Sequence, residues 1–132
     1  MTFDNKFFAA QKFTAVELEN IRKSIKRNLE LAGPGEEAEV VFHFTYMALL
    51  KIGIYLIAKE GYRVKSQPGH HVKIIELLSK LSGSEEVLSI GDKMRKDRNI
   101  DLYGSGLLIE GTEAKEYFDF VKALSIHVFG KD

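Results

Sequence analysis

The chain contains no cysteine, and its formal net charge is zero because 19 lysines and arginines balance 19 aspartates and glutamates. The lack of cysteine excludes disulfides, thiolate zinc sites and cysteine nucleophiles, and it fits a reducing cytoplasm. Because the net charge is zero, no overall field attracts the protein to nucleic acid. Any anion-binding site must therefore come from a local cluster of basic residues.

Other functional signals are also missing. The first residues, MTFDNKFFAA, lack the basic start and the long apolar run of a signal peptide. Gly104-Ser105-Gly106 is not followed by the glycine-lysine-serine/threonine sequence of a phosphate-binding loop. His70 and His71 are adjacent and point in different directions on a helix, so they do not form the four-apart pair that binds a metal. We expect a cytoplasmic protein with no metal and no cofactor.

The apolar pattern predicts helices throughout the chain. Of the 132 residues, 45% are apolar and 29% are charged, which is ordinary for one globular domain over residues 1–132. Residues 1–13 are expected to form an N-terminal arm or short helix whose phenylalanines pack onto the body. Thr14 and Glu17 fit a capping box at the start of the first long helix. No stretch shows a strand pattern, so we predict an all-α, up-and-down bundle of four to five helices.

Val40–Ala58 is a long apolar stretch that resembles a membrane span in length. Lys51 lies near its middle, where a lysine costs roughly 2.5–3.5 kcal/mol on membrane-insertion scales. No second span would shelter that charge, so we interpret the stretch as a core helix and expect no membrane partner. Since it is apolar nearly all round, it must be buried on more than one side, centrally or by covering a partner in a homodimer.

The segment 93–104, KMRKDRNIDLYG, carries the polar side chains best suited to binding. Arg98 takes a core-facing position on a helix, where its permanent charge needs an anion or a set of acceptors. The apolar part of the same face is formed by Val87, Ile90 and Met94. Arg95 and Asn99 lie on a neighbouring strip, and Tyr103 closes the group. The four polar residues predict a phosphate-binding patch, but an internal ion pair of Arg98 with a carboxylate explains the pattern equally well.

Three segments, in their order and spacing, resemble the HEPN superfamily of small helical domains over roughly residues 36–117. They are AKEGYR at Ala58–Arg63, GHH at Gly69–His71 and RKDRNIDLYG at Arg95–Gly104. The resemblance implies a homodimer that brings two copies of the arginine motif into one cleft. It also implies a metal-independent ribonuclease, often a toxin paired with a nucleotidyltransferase antitoxin, or a nucleotide-binding accessory domain.

The ribonuclease motif of that superfamily is an arginine, often followed by a polar residue, with a histidine several residues later. Arg98 and Asn99 match it, but the histidine position falls near Asp101 or Tyr103. Arg98 and Tyr103 are therefore the candidate catalytic residues. Metal-free RNA cleavage needs a base and an acid whose pKa values lie near the operating pH, whereas tyrosine titrates near ~10. We expect weak ribonuclease activity or none.

A histidine beside Arg98 would change the expectation of weak or no ribonuclease activity. The candidates are His70, His71 and His127, of which His70 and His71 are the auxiliary site residues.

The leading hypothesis is a HEPN-like dimer that binds RNA or nucleotide phosphate, as the toxin or accessory half of a toxin–antitoxin pair. A second hypothesis is a non-catalytic protein-interaction bundle with structural arginines. A third is a bundle that binds a ligand in an apolar pocket between helices.

Overall fold

The protein is an all-α helical bundle, as the sequence predicts. The structure is a computed structural model that describes residues 3–103 and 109–131, with the side chains of residues 100–103 outside the description. The described residues form five helices and two short strands. In chain order these are β1 (Phe8–Ala10), α1 (Ala15–Ala32), α2 (Ala38–Lys59), β2 (Tyr62–Val64), α3 (His70–Ser82), α4 (Glu86–Tyr103) and α5 (Gly111–Phe129).

Helix α2 is the centre of the bundle. It contacts each of the other helices, and half of its residues are buried. A helix that is apolar nearly all round takes this position because every face of it must be covered. The interpretation of Val40–Ala58 as a core helix is confirmed, although Val40 itself is 41% exposed at the start of the helix.

Lys51, the cation within α2, is held by α1. Its Nζ donates to the Ser24 hydroxyl at 2.7 Å and to Asn28 Oδ1 at 2.8 Å, and burial lowers the pKa of Lys51. Among the described residues, α2 is the one helix long and apolar enough to cross a membrane, and 56% of its most apolar window is buried in the bundle. Core helices share that composition. Lys51 has polar partners on α1, which a charged residue on a core helix needs.

The N-terminal segment differs from the prediction. We predict an arm or short helix over residues 1–13 and no strands, whereas β1 pairs antiparallel with β2, with Phe8 opposite Val64. The prediction is wrong here because strands of three residues are too short to show an alternating pattern in the sequence. Phe8 is buried against Ile57 and Leu77, which holds β1 to the bundle. The expected packing of the N-terminal rings onto the body is confirmed at this residue.

The start of α1 is confirmed in detail. The Thr14 hydroxyl accepts from the Glu17 backbone amide at 3.1 Å, and the Glu17 carboxylate accepts from the Thr14 backbone amide at 2.9 Å. These two bonds satisfy amides that have no partner within the helix. The capping box therefore fixes the start of α1.

Two glycines allow α3 to lie close to both α2 and α4. A Cβ atom on Gly53 of α2 would lie 2.6 Å from Cγ2 of Ile74, and one on Gly91 of α4 would lie 2.9 Å from Cγ2 of Ile75. Both isoleucines are buried residues of α3. Carbon atoms in a close-packed core do not approach to such distances, so both helix contacts require glycine. The distance between α3, which carries the GHH segment, and α4, which carries the arginine segment, therefore depends on glycine at position 91, and the distance between α3 and α2 depends on glycine at position 53.

We expect Gly53→Ala to lower the free energy of unfolding relative to Gly111→Ala by about 1–3 kcal/mol, the usual cost of overpacking. Both changes place alanine in a helix, but a Cβ on Gly111 meets no atom within 4 Å. Urea unfolding of the two variants measures the difference. Equal stabilities would show that α2 and α3 separate without cost.

Candidate functional site

A pocket of about 380 Å³ lies between the start of α3 and the later turns of α4. One wall is formed by residues 66–72, and the other is formed by Arg95, Arg98 and Asn99. Both histidines of the GHH segment line it. Two segments that lie far apart in the sequence, GHH and RKDRN, therefore share one cavity.

The wall formed by residues 66–72 has a defined shape. Gly69 precedes α3 with a φ of +86°, a conformation that is strained for residues with a side chain. The side-chain amide of Gln67 donates to the backbone carbonyl of Lys6, so the N-terminal segment braces this wall. His70 Nδ1 lies 2.6 Å from the Gln67 carbonyl. Because a carbonyl only accepts, Nδ1 carries the proton, and Nε2 of the neutral ring carries the lone pair.

His71 is oriented by a buried tyrosine of α2. The Tyr46 hydroxyl lies 3.1 Å from His71 Nδ1, and Tyr46 is only 1% exposed. Burial raises the pKa of Tyr46 to about 12, so the hydroxyl stays protonated at neutral pH. We assign this hydroxyl as the donor to His71 Nδ1. Burial, followed by the charges of His70, Arg98 and Arg95, lowers the pKa of His71 to about 4. His71 is therefore neutral at neutral pH, and with Tyr46 as the donor to Nδ1 its proton lies on Nε2, which becomes an N–H donor.

Arg98 makes no ion pair with any carboxylate among the side chains that the structure describes. The neighbouring acid, Asp97, accepts instead from the Tyr117 hydroxyl at 2.7 Å; burial and this hydrogen bond raise the pKa of Tyr117. The guanidinium carbon of Arg98 lies 5.5 Å from the ring centroid of Tyr46, within cation–π range. The internal ion pair that competes with an anion site is thus not found within the described side chains.

Arg95 has a different environment. Its Nε and Nη2 donate to Asp92 Oδ1 at 3.2 and 2.9 Å, and Lys96 Nζ lies 3.0 Å from Asp92 Oδ2. The hydrogen bond from Arg95, followed by that from Lys96, lowers the pKa of Asp92. Arg95 is therefore held on its own helix by a carboxylate three residues earlier. It adds positive potential to the pocket while its donors are partly engaged.

The other predicted site residues fall in different places. Asn99 is exposed at the rim of the pocket. The side chain of Tyr103, a candidate catalytic and binding residue, lies outside the described part of the chain. His127 is not in the pocket, since its Nε2 lies 2.9 Å from the carbonyl of Ser82 at the other end of α3. The fold thus brings two of the three candidate histidines to the cavity that Arg98 lines.

Sequence reasoning missed Tyr46 and Asp92. The Asp92–Arg95 pair was visible, since an acid and a base three residues apart on a helix face each other. Tyr46 gives no such signal, because it sits in an apolar helix where a tyrosine normally packs by its ring. Its role follows only from where the fold places its hydroxyl.

The pocket is lined by several hydrogen-bond donors. It offers N–H donors from Arg98, from His71 Nε2 and from the Asn99 amide, and one ring lone pair from His70. No group of three or more histidines, aspartates or glutamates in residues 3–103 and 109–131 is arranged to hold a metal ion. Charged donors around an open cavity favour phosphate or carboxylate oxygens.

We expect Tyr46→Phe to raise the pKa of His71 above its value of about 4. The variant keeps a ring beneath Arg98 but removes the hydroxyl that donates to Nδ1 and so stabilises the neutral imidazole. NMR of the histidine ring protons against pH measures the change. The His127 signals are the internal control, because that ring lies at the far end of α3. An unchanged His71 titration would contradict the hydrogen bond.

Comparisons with protein-family models, with curated proteins and with solved structures give no match to this chain. The relation to the HEPN superfamily therefore remains a resemblance carried by the three quoted segments, two of which line the pocket. The function has to be inferred from the geometry and charge of that pocket.

Proposed function

We propose that the pocket between α3 and α4 binds a phosphate group of a nucleotide or of RNA, with Arg98 as the principal contact. One observation carries this proposal. Arg98 has no carboxylate partner within the described side chains, yet it lines an open cavity together with two histidines and Asn99. A partly buried arginine needs an anion or acceptors, and the cavity provides room for one.

The remaining donors suit the same ligand. A guanidinium can hold two phosphate oxygens at once, and contact with the Tyr46 ring restricts the orientations that Arg98 can take. His71 adds an Nε2–H donor fixed by its bond to Tyr46. Arg95 contributes positive charge from the adjacent turn. An anion bound here would exchange water for several charge-assisted hydrogen bonds.

The same geometry favours binding over turnover. The resemblance implies a metal-independent ribonuclease, which needs a proton acceptor and a proton donor. With its pKa lowered to about 4, His71 is neutral at pH 7, which makes it a poor acid. His70 holds Nδ1 against the Gln67 carbonyl, so Nε2 is the His70 nitrogen that remains for a ligand. We therefore keep the expectation of weak cleavage or none.

The resemblance supports further proposals. These are a homodimer, a cytoplasmic location, and a role as the toxin or accessory half of a pair with a nucleotidyltransferase antitoxin. The alternative is a non-catalytic interaction bundle in which the arginines are structural. The pairing of Arg95 with Asp92 favours that alternative for one arginine of the patch, but not for Arg98.

We expect Arg98→Ala to weaken binding of AMP and of a short single-stranded RNA by about 1.5–3 kcal/mol, the range for hydrogen bonds to charged groups. Binding by the parent protein should fall as salt rises, and the variant should show a shallower salt dependence for RNA. Isothermal titration calorimetry measures the affinity for AMP, and fluorescence anisotropy measures the affinity for the RNA.

The matched control is Arg27→Ala, an exposed arginine of α1 outside the pocket, which should leave both affinities unchanged. Thermal melting of Arg98→Ala should show little loss of stability. A loss of about 3–5 kcal/mol would instead reveal a stranded buried carboxylate. That result, or failure of the parent protein to bind either ligand, would refute the phosphate site.

The proposed dimer would use the outer face of α2. Val40 is 41% exposed, and Phe44 and Met47 are partly exposed at helical spacing from it. Apolar residues that remain at the surface of the most apolar helix are typical of an interface between subunits. The stripe of Val40, Phe44 and Met47 is therefore the surface that we expect a second copy to cover.

We expect light scattering to give a dimer for the parent protein at micromolar concentration and a monomer for Phe44→Asp, because the variant places a charge in the interface. Val40→Asp is a second variant at a more exposed position, where unfolding is less of a concern. Val16→Asp is the control, since Val16 is 69% exposed on α1. Circular dichroism separates dissociation from unfolding. A parent protein that is a monomer would refute the dimer.

A further inference from the structure

A second cavity, which we name the α1–α5 groove, lies apart from the phosphate pocket. It has a volume of about 500 Å³ and is bordered by residues of α1, by the turn after α1 and by the later part of α5. It shares no residue with the pocket between α3 and α4. Its size falls within the range of small-molecule sites. Nothing in the proposed phosphate function uses it.

The floor of the groove is apolar. Ile25 is 1% exposed at its base, and Leu29, Phe118 and Phe129 continue the apolar surface. Ile126 is 39% exposed in the same wall, which makes it one of the more exposed large apolar residues of the described chain. An apolar body placed in this groove would remove these side chains from water.

The rim of the groove is basic. Arg22, Lys26, Lys122 and Lys131 border it, with Glu30 as the acidic residue of the lining. The Arg22 guanidinium carbon lies 5.2 Å from the Phe129 ring centroid, and Lys122 Nζ lies 5.9 Å from that of Phe118. These cations therefore sit against the rings of the floor. Within residues 3–103 and 109–131, none of the three rim lysines makes an ion pair.

We propose that the α1–α5 groove binds a small amphipathic anion, with an aliphatic body on the floor and one carboxylate at the basic rim. The apolar floor selects the body, and the excess of the three rim lysines over Glu30 selects the charge of the head. The excess is local, because the chain as a whole has no net charge. This proposal is independent of the phosphate site, since no residue is common to both.

Dodecanoate is the probe, used below its micelle-forming concentration, with dodecanol as a neutral ligand of equal length and acetate as a head without a body. Calorimetry should show binding of dodecanoate, binding of dodecanol at least about tenfold weaker, and no binding of acetate. Equal affinities for dodecanoate and dodecanol would overturn the role of the rim. Absence of dodecanoate binding would overturn the site.

Ile126→Glu places a carboxylate in the wall of the groove and should abolish dodecanoate binding. Leu88→Glu is the matched control, because Leu88 is 47% exposed on α4 and lies outside the groove. Lys122→Glu should weaken dodecanoate by at least about tenfold and leave dodecanol unchanged. Equal losses in Ile126→Glu and Leu88→Glu would overturn the proposal.

Two further measurements, the oligomeric state and AMP binding, test whether Ile126→Glu affects only the groove. Ile126→Glu should leave AMP binding and the light-scattering mass unchanged, since the phosphate pocket and the expected dimer stripe lie elsewhere. A change of mass in this variant would mean that a second copy or another protein surface covers the groove, and it would overturn the proposal of a small ligand.

Discussion

The contacts of Tyr46 connect the three helices of the proposed phosphate site. Its ring lies in the core of α2, its hydroxyl bonds to His71 at the start of α3, and its face lies beneath Arg98 of α4. The contact with His71 depends on close packing of α3 against α2, which the glycine at position 53 permits. The position of the donors is therefore a consequence of core packing, and the cavity exists because rigid elements hold its edges.

That arrangement has an electrostatic consequence. A histidine beside two arginines and a second histidine is more stable when neutral, and burial acts in the same direction. The acids near Arg98 are engaged elsewhere, with Asp92 bound to Arg95 and Asp97 bound to Tyr117. The pocket thus keeps a positive charge that nothing in the described side chains neutralises.

Much of the fold followed from the sequence because the signals are local. The apolar surface of Val40–Ala58, the capping box at Thr14 and the glycines that end helices each act within a few residues. The paired strands could not be predicted, because Phe8 and Val64 are distant in sequence and each strand is only three residues long. Arg98, Asn99 and His71 were candidates from their residue types and sequence context, and the fold places all three at one cavity. The contribution of Tyr46 depends on tertiary placement, which no local pattern encodes.

The two cavities differ in the chemistry that they can select, although both carry local positive charge on a protein with no net charge. In the proposed phosphate site, His71 is held by its bond to Tyr46 and Arg98 by its contact with the Tyr46 ring, so oxygen geometry should decide what binds. In the α1–α5 groove the cations end flexible side chains, while the apolar floor is fixed. In this groove the shape of the ligand's apolar part should decide which molecules bind, and a negative charge on the ligand should strengthen binding. Because no long-range field assists either site, affinity must come from short-range contacts within each cavity.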